Sequence, residues 1–302
     1  MGLMRIFALG DIHDDLEALE TACDYIAATG ADRILCTGDV LLRPYRREDL
    51  SDLVASRDIS SFLLRLAQQG GRTLTSAKQL LDRTGIPYHI VPGNYDPLLE
   101  EVFGAADLHR KSADLGGLTI TGYGGADILP DHIAVLEQFG KTTPYNLGEL
   151  YRTLADADAD IVLLHNPPLG TCDVTYRGEN VGAQSAAAFV REHKPDLVVC
   201  GHIHESGPLG GAGLNPASVA GLVRIQHPDG LSTLILNPGN LGRFELIKFP
   251  TLEPIARLPY GTFTSVDLRE DGCPLRAAQY LLATPDRRIG DVRELGSVDF
   301  SS

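Results

Sequence analysis

Seven residues whose side chains can bind metal ions stand directly after short apolar runs of the sequence. Two of them, His202 and His204, lie two positions apart after the run Leu197 to Cys200. The complete set contains two carboxylates, one amide and four imidazoles: Asp11, His13, Asp39, Asn94, His165, His202 and His204. Mixed oxygen and nitrogen ligands favour Mn²⁺, Fe or Zn²⁺ over Ca²⁺ or Mg²⁺, and the absence of cysteine from the set argues against a structural zinc site. The set is large enough for two cations.

The spacing within this set indicates how two cations could be shared. Asp11 and His13 are two positions apart, so in an extended exit from a strand both side chains fall on one side and can hold one cation. A carboxylate such as Asp39 has two oxygens and can bridge ions roughly 3.5–4 Å apart, the separation found in two-metal phosphate chemistry.

The elements that position these residues follow from apolar periodicity. Short strands are predicted at 6–9, 34–37, 88–91, 161–164 and 197–200, and helical spacing is found at 16–28 and roughly at 58–83, 97–103, 147–156 and 183–193. Alternating strands and helices predict βαβ units with right-handed crossovers. In such α/β sheets ligands bind beyond the carboxyl ends of the strands, which is where the seven residues stand.

Two stretches depart from this pattern. Residues 44–85 are longer than a simple crossover and contain most of a charged run from Arg43 to Asp52, so we expect a solvated two-helix insertion, with a lid over the site as the alternative. After residue 205 the pattern is all β, with a hairpin at 221–225 and 232–236 and strands near 245–249, 262–268 and 278–282. We interpret these strands as a second sheet packed on the first, and we expect the last ten or so residues to be poorly anchored.

Composition limits the classes of function. Lys and Arg total 26 and Asp and Glu total 40, for a net charge of −14 that disfavours nucleic acid and anionic membrane surfaces as partners. The sequence has no apolar run long enough to span a bilayer and no signal-peptide pattern near Met1, and its five cysteines are scattered. These features predict a folded cytoplasmic protein with reduced thiols.

Five short motifs resemble the signature of the calcineurin-like metallophosphoesterases. They are GDIH at 10–13, GD at 38–39, GNYD at 93–96, HNPP at 165–168 and GHIH at 201–204, each at the end of a predicted strand and in the family's order. The resemblance covers about residues 4–245 and implies a four-layer αββα sandwich with two mixed sheets. We therefore expect one phosphoesterase domain over 1–302, with a helical insertion at about 44–85 and a β-rich part at about 206–285.

The resemblance also implies a role for each ligand. Asp11, His13, Asp39 and His204 would hold one metal, and Asp39, Asn94, His165 and His202 would hold the other, with Asp39 as the bridge. Mn²⁺ is the preferred cation, with Fe, Zn, Co and Ni as alternatives. A water bridging the two ions would attack phosphorus as hydroxide, while Asn94 and His202 position and neutralise the phosphoryl group. The expected substrate is a small phosphoester.

Tyr95 departs from the family pattern, because many members have His after the Asn of this motif. A phenol with an ordinary pKa near 10 is a poorer acid than imidazole at neutral pH, and loss of a general acid typically costs about 10²–10⁴ in rate. We therefore favour phosphodiesters, or monoesters with good leaving groups, over alkyl phosphomonoesters, with Tyr95 or a water supplying the proton. The alternative from another class is a non-catalytic or weakly catalytic metal-binding scaffold on the same fold.

Other polar residues have simpler interpretations. Asp14 and Asp15 precede a predicted helix and are interpreted as caps rather than as partners of His13. Arg43 is interpreted as a surface residue rather than a phosphate ligand. The histidines outside the motifs are interpreted as surface or core residues: His89, His109, His132, His193 and His227.

Overall fold

The computed structural model describes residues 3–42, 47–128, 137, 142–209, 220–248, 251–282 and 291–300. Its longer helices are α1 (Leu16–Thr29), α2 (Arg47–Ser56), α3 (Ile59–Arg83), α4 (Glu100–Phe103), α5 (Leu147–Ala157) and α6 (Gln184–His193). Helix α1 begins where Asp15 accepts a hydrogen bond from the Ala18 amide at 3.1 Å, which confirms the capping interpretation of Asp15. The helix predicted at 97–103 is confined to α4, after Pro97.

Six strands form the first sheet. In chain order they are β1 (Leu3–Leu9), β2 (Arg33–Cys36), β3 (Tyr88–Ile90), β12 (Gly261–Arg269), β13 (Pro274–Leu282) and β14 (Val292–Asp299). Their spatial order is β14-β13-β12-β1-β2-β3, in which β1, β2 and β3 are parallel and the other neighbours are antiparallel.

A second sheet also has six strands. They are β4 (Lys111–Asp114), β5 (Thr119–Tyr123), β6 (Ile161–Leu164), β7 (Leu197–Val199), β8 (Leu222–Gln226) and β9 (Ser232–Leu236), in the order β4-β5-β6-β7-β9-β8. Strands β5, β6, β7 and β9 are parallel, and the two edge strands are antiparallel to their neighbours. Two further strands, β10 (Phe244–Lys248) and β11 (Glu253–Leu258), pair only with each other among the described residues and form a ribbon.

Alternation along the central strands divides the core into layers. Ile6 and Ala8 of β1 pack between the two sheets, whereas Phe7 and Leu9 pack against the helices on the outer side of the first sheet. Leu163 of β6 likewise lies between the sheets, and its neighbours in sequence face α5 and α6. Because side chains alternate across a strand and both faces of each sheet are buried, the result is the expected helix–sheet–sheet–helix arrangement.

The strands after residue 205 do not form a separate sheet, so that prediction was wrong. Strands β8 and β9 complete the second sheet, and β12, β13 and β14 complete the first. The hairpin itself was predicted correctly, because β8 and β9 pair antiparallel around the turn at 227–230. The apolar runs of β1, β2, β6 and β7 are buried on both faces, and such runs do not indicate which strands are neighbours.

The prediction of a poorly anchored C-terminus was also wrong for residues 292–299. Strand β14 pairs with β13 along its length, for example Ala277 with Val298. Most of its side chains are exposed, with only Val292 and Val298 packed against the core, so its sequence carries a weak strand signal. Backbone pairing rather than side-chain burial holds this strand.

The helical insertion packs on the ribbon. Leu50 and Leu53 of α2, Phe62 and Leu66 of α3, and Ile247 of β10 form a small buried cluster of their own. None of the helices in the described residues has the length and apolar character needed to cross a membrane.

We predict that this small cluster is an energetic unit that can be tested on one helix. Phe62→Ala removes a ring that is 1% exposed and should lower the free energy of unfolding by about 3–5 kcal/mol in urea titration. Leu64→Ala on the same helix removes a side chain that is 60% exposed and should change it by less than about 0.5 kcal/mol. Equal losses in the two variants would contradict the packing described here.

Candidate metal centre

Four of the seven candidate ligands lie in left-handed backbone conformations at the strand ends. The φ angles of Asp11, His13, Asp39 and His202 are 51°, 50°, 49° and 67°. Non-glycine residues seldom adopt this region, and it persists where surrounding contacts enforce it. Here the amides of Asp11 and His13 donate to the carbonyls of Gly38 and Asp39, both at 2.9 Å, so the loops after β1 and β2 hold each other.

Asp11, His13 and His204 form the first group of candidate ligands. One ligand atom from each lies within 4.8 Å of the other two. His204 Nε2 is 3.1 Å from Asp11 Oδ1 and 3.2 Å from His13 Nε2. His13 turns its Nδ1 toward the carbonyl oxygen of Leu41 at 3.3 Å, so the donor belongs at Nδ1 and the lone pair at Nε2 faces the group. Two imidazole nitrogens and a carboxylate oxygen converging in this way fit a divalent transition metal.

Asp39, His165 and His202 form the second group, with the same 4.8 Å limit. His165 Nδ1 donates to the carbonyl of Thr37 at 2.8 Å, which directs its Nε2 toward Asn94 Oδ1 at 3.0 Å and Asp39 Oδ2 at 3.5 Å. Asn94 thus adds an amide oxygen to this group. The second oxygen of Asp39 accepts a hydrogen bond from the Tyr95 amide at 2.8 Å.

The charges of the two groups balance in the same way. Burial acts to raise the pKa of Asp11 and of Asp39. The adjacent imidazoles outweigh this effect and lower both pKa values. The largest contribution comes from His204 for Asp11 and from His165 for Asp39. Burial acts to lower the pKa of His165, and Asp39 overcomes it and raises the value to about 9. Burial also acts to lower the pKa of His204, and Asp11 overcomes it and raises the value.

The remaining imidazole of each group is held neutral. Burial lowers the pKa of His13 to about 4 and that of His202 to about 3. Each group therefore pairs a carboxylate with one imidazole that favours a proton and one that does not. Since an imidazole binds a cation only through a free lone pair, a divalent cation held by either group would replace the proton in this charge balance.

Exposure shows the side from which a ligand reaches the two groups. Asp11, His13, Asp39, Asn94 and His165 are at most 5% exposed. His202 and His204 are partly exposed. The centre is therefore open on the side of the loop after β7.

Sequence reasoning missed Asp96 as a structural part of this centre. Its fully buried carboxylate accepts hydrogen bonds from the amides of Val40 at 3.2 Å, Leu41 at 3.0 Å and Gly93 at 3.0 Å. Burial, reinforced by nearby Asp39, raises its pKa to about 7. Asp96 thus ties the loop that carries Asp39 to the loop that carries Asn94. The fourth letter of the GNYD motif was the available signal.

Phe244 was also missed, and nothing in its sequence context points to it. Its ring lies 4.1 Å from that of His13 and 5.0 Å from that of His204, measured between centroids. Tyr95 packs edge-on to His13 on another side at 5.8 Å. The imidazole of His13 is therefore oriented by an aromatic ring from the ribbon and by one from the GNYD loop.

The other polar residues considered from the sequence lie outside the two groups. Asn240, in the loop after β9, donates to the carbonyls of Gly242 and Tyr260 and joins neither group. None of the four described histidines outside the motifs joins either group: His89, His109, His193 and His227. Arg43 and His132 lie outside the described residues.

The glycines of the motifs leave room for the carboxylates. A Cβ on Gly93 would stand 1.9 Å from Asp39 Oδ1, and one on Gly201 would stand 2.7 Å from Asp11 Oδ2. Real Cβ atoms do not approach so closely, so a side chain at either position displaces a candidate ligand. The close approach explains why glycine precedes the ligand in both motifs.

Comparison with known proteins connects this geometry to a family. The family model described as calcineurin-like phosphoesterase matches residues 4–206. No curated protein matches the sequence.

Two solved structures share the fold at low identity, and a third match has a lower TM-score. One crystal structure superposes with a TM-score of 0.56 at 16% identity, covering 84% of this chain and 98% of its own. The NAD nucleotidase of Haemophilus influenzae gives a TM-score of 0.50 at 10% identity, covering 90% of this chain and 48% of its own. The protein TT1561 of Thermus thermophilus gives 0.49 at 18% identity, covering 84% and 97%.

We predict that Gly93→Ala weakens cation binding through Asp39 without removing any ligand. Metal titration by calorimetry should show at least about a tenfold loss of Mn²⁺ affinity, the size of effect seen when groups that orient ligands are disturbed. Gly71→Ala is the matched control, because its added Cβ meets nothing within 4 Å and alanine favours the helix there. Unchanged Mn²⁺ affinity in Gly93→Ala would show that Asp39 does not bind the cation.

Proposed function

Because this chain belongs to the calcineurin-like phosphoesterase family, we propose that it is a phosphoesterase that hydrolyses small phosphodiesters with the help of two divalent cations. The observation that carries the proposal is the pair of ligand groups around Asp11 and Asp39. Each combines carboxylate and imidazole donors at the open end of the sandwich.

Seven residues would hold the cations. Asp11, His13, Asp39 and His204 would bind the first, and Asp39, Asn94, His165 and His202 would bind the second. The mixed oxygen and nitrogen donors support Mn²⁺ as the resident metal, with Fe, Zn, Co and Ni as alternatives. When bound, the two cations would supply an acidified water as nucleophile and would neutralise charge on the phosphoryl group.

The residues of the chain would orient the phosphate. The amide of Asn94 directs its oxygen toward His165, so its NH₂ group is available to donate to a phosphoryl oxygen. His202 is partly exposed at the open side and would contact the same group. Hydrogen-bond donors fixed in a buried site cost no reorganisation during the reaction, which is why such positioning supplies much of the rate.

The preference for phosphodiesters is proposed on account of Tyr95. This residue stands where an imidazole would serve as general acid, and its ring packs edge-on to His13. A phenol transfers a proton less readily than an imidazole at neutral pH. Alkyl monoesters release an alkoxide, which is a poor leaving group without a proton donor. They would therefore be slow substrates.

We also propose that the protein acts in the cytoplasm as one phosphoesterase domain. All five cysteines are free, and four of them are buried, which supports a reducing compartment.

The first prediction of this proposal concerns the bridging carboxylate. Asp39→Asn should lower Mn²⁺-dependent turnover of bis-p-nitrophenyl phosphate by at least about 10²–10³-fold, because an amide cannot bridge two cations. Asp24→Asn changes an exposed carboxylate on α1 and should retain activity. Absence of metal-dependent turnover of both bis-p-nitrophenyl phosphate and p-nitrophenyl phosphate by the parent protein would refute the proposed function.

The second prediction concerns substrate preference. Tyr95→His should raise the ratio of monoesterase to diesterase activity by on the order of 10², because it restores an imidazole acid beside the leaving group. Tyr95→Phe keeps the ring packed on His13 and removes only the hydroxyl. If Tyr95→His leaves the ratio unchanged, Tyr95 does not set the preference; if Tyr95→Phe lowers diester turnover, its hydroxyl takes part in proton transfer.

A further inference from the structure

The ring of Phe244 packs on one histidine of the first ligand group and stands edge-on to another. Its centroid lies 4.1 Å from that of His13 and 5.0 Å from that of His204. From these contacts we infer that Phe244 is a positioning residue for the first cation, which holds both imidazoles as cation binding requires and has no such effect on the second cation. The inference rests on the proposed function and deepens it by giving the two cations different supports.

The ligand atoms of the first group depend on the rotation of two imidazole rings. His204 Nε2 lies 3.1 Å from Asp11 Oδ1 and 3.2 Å from His13 Nε2. A histidine ring turns over a broad range about the bond that joins it to Cβ, so this rotation has little preference of its own. The carbonyl of Leu41 holds His13 at Nδ1. The ring of Phe244 limits the rotation of both imidazoles by occupying the space beside them.

Phe244 is buried without being part of the hydrophobic core. It is 9% exposed, yet it belongs to none of the four buried apolar clusters that the described residues form. Ile247, three residues later on β10, does belong to one, the cluster with Phe62 of α3. The ring of Phe244 is therefore packed on candidate ligands, whereas Ile247 secures the ribbon.

Backbone hydrogen bonds place this ring. The amides of Leu241 and Gly242 donate to the carbonyls of Gly10 and Asp11 at 2.8 and 3.1 Å, so the segment before β10 lies along the GDIH loop. Phe244 follows two residues after the second of these bonds. Its ring therefore approaches the imidazoles from a backbone that is itself bonded to the loop carrying the ligands.

Space for the imidazoles to move lies directly beside the ring. Phe244 and His13 both line a cavity of about 390 Å³ between α2 and the start of β10. Structures relax only partly around a truncated side chain, so a smaller residue at position 244 would extend this cavity toward His13. Loss of the ring should therefore change the orientation of the ligands in addition to the packing.

The second ligand group has a different support. The rings of His165 and His202 contact each other at 5.0 Å between centroids, and within the described part of the chain neither contacts a phenylalanine or tyrosine ring. His165 is oriented by the hydrogen bond from its Nδ1 to the carbonyl of Thr37 at 2.8 Å. A change at Phe244 should therefore distinguish the two cations.

The test measures Mn²⁺ affinity by calorimetry in proteins that retain one intact ligand group. His202→Ala removes a ligand of the second group and His204→Ala one of the first, and both residues are partly exposed. Adding Phe244→Leu to His202→Ala should lower the affinity for the remaining cation by at least about tenfold, the effect expected of a group that orients ligands. Adding it to His204→Ala should change the affinity by no more than about twofold, as for independent sites.

Two further variants separate the ring from general packing. Phe244→Tyr keeps an aromatic ring at this position and should retain most of the Mn²⁺ affinity. Phe62→Leu loosens the cluster that secures the ribbon, through a side chain that is 1% exposed, and should leave both cations bound as in the parent protein. Equal losses of affinity in Phe244→Leu and Phe244→Tyr, or the same loss in Phe62→Leu, would overturn the role of the ring.

The outcomes distinguish this inference from the proposed function. If Phe244→Leu weakens both cations alike or neither, the assignment of Phe244 fails, while hydrolysis of bis-p-nitrophenyl phosphate by the parent protein still supports the proposed function. If Phe244→Leu weakens only the first cation but the parent protein hydrolyses neither nitrophenyl ester, the proposed function fails and the assignment of Phe244 stands. Absence of Mn²⁺ binding by the parent protein would overturn the assignment of Phe244 together with the two-cation centre.

Discussion

The burial of two carboxylates at the edge between the sheets is the constraint on which the structure of the centre depends. Asp11 and Asp39 follow β1 and β2 of the first sheet and are at most 1% exposed. A buried charge is costly unless opposite charges and hydrogen bonds compensate it. The main compensation comes from the other sheet, because His165 follows β6 and His204 follows β7. The same contacts that balance the charge therefore join the ends of the two sheets.

This joining leaves little freedom in the backbone around the ligands. The amide of His202 donates to Asp11 Oδ2 at 3.2 Å, and the amide of Gly201 donates to the carbonyl of His165 at 2.9 Å. Chain segments that approach so closely cannot accommodate a Cβ at Gly93 or Gly201, and they hold Asp11 and Asp39 at positive φ. The residue types in the short motifs are thus determined by the lack of space for a side chain as well as by ligand chemistry. A residue type can be fixed at a position because nothing larger fits there.

The parts of the structure that could be predicted from the sequence are those with a local cause. A short apolar run that ends in Asp11 or His165 marks both a strand and the ligand that follows it, so strand positions and candidate ligands emerge together. The division of strands between two sheets could not be read in this way, since Ile6 and Phe7 are both apolar although they face different layers. Asp96 and Phe244 act through contacts between segments distant in sequence, and such contacts leave little local signal.

The candidate metal centre and the cavity of about 390 Å³ beside His13, between α2 and the start of β10, are built from different parts of the chain. The ligands come from the central strands of both sheets, whereas the cavity walls come from α2 and β10. The Arg47–Glu245 pair that connects these walls has side chains 43% and 27% exposed, and exposed ion pairs contribute at most about 1 kcal/mol. The buried cluster around Phe62 and Ile247 removes far more apolar surface from water and is the stronger connection. The packing that fixes α2 against β10 is therefore separate from the strand ends that carry the candidate ligands.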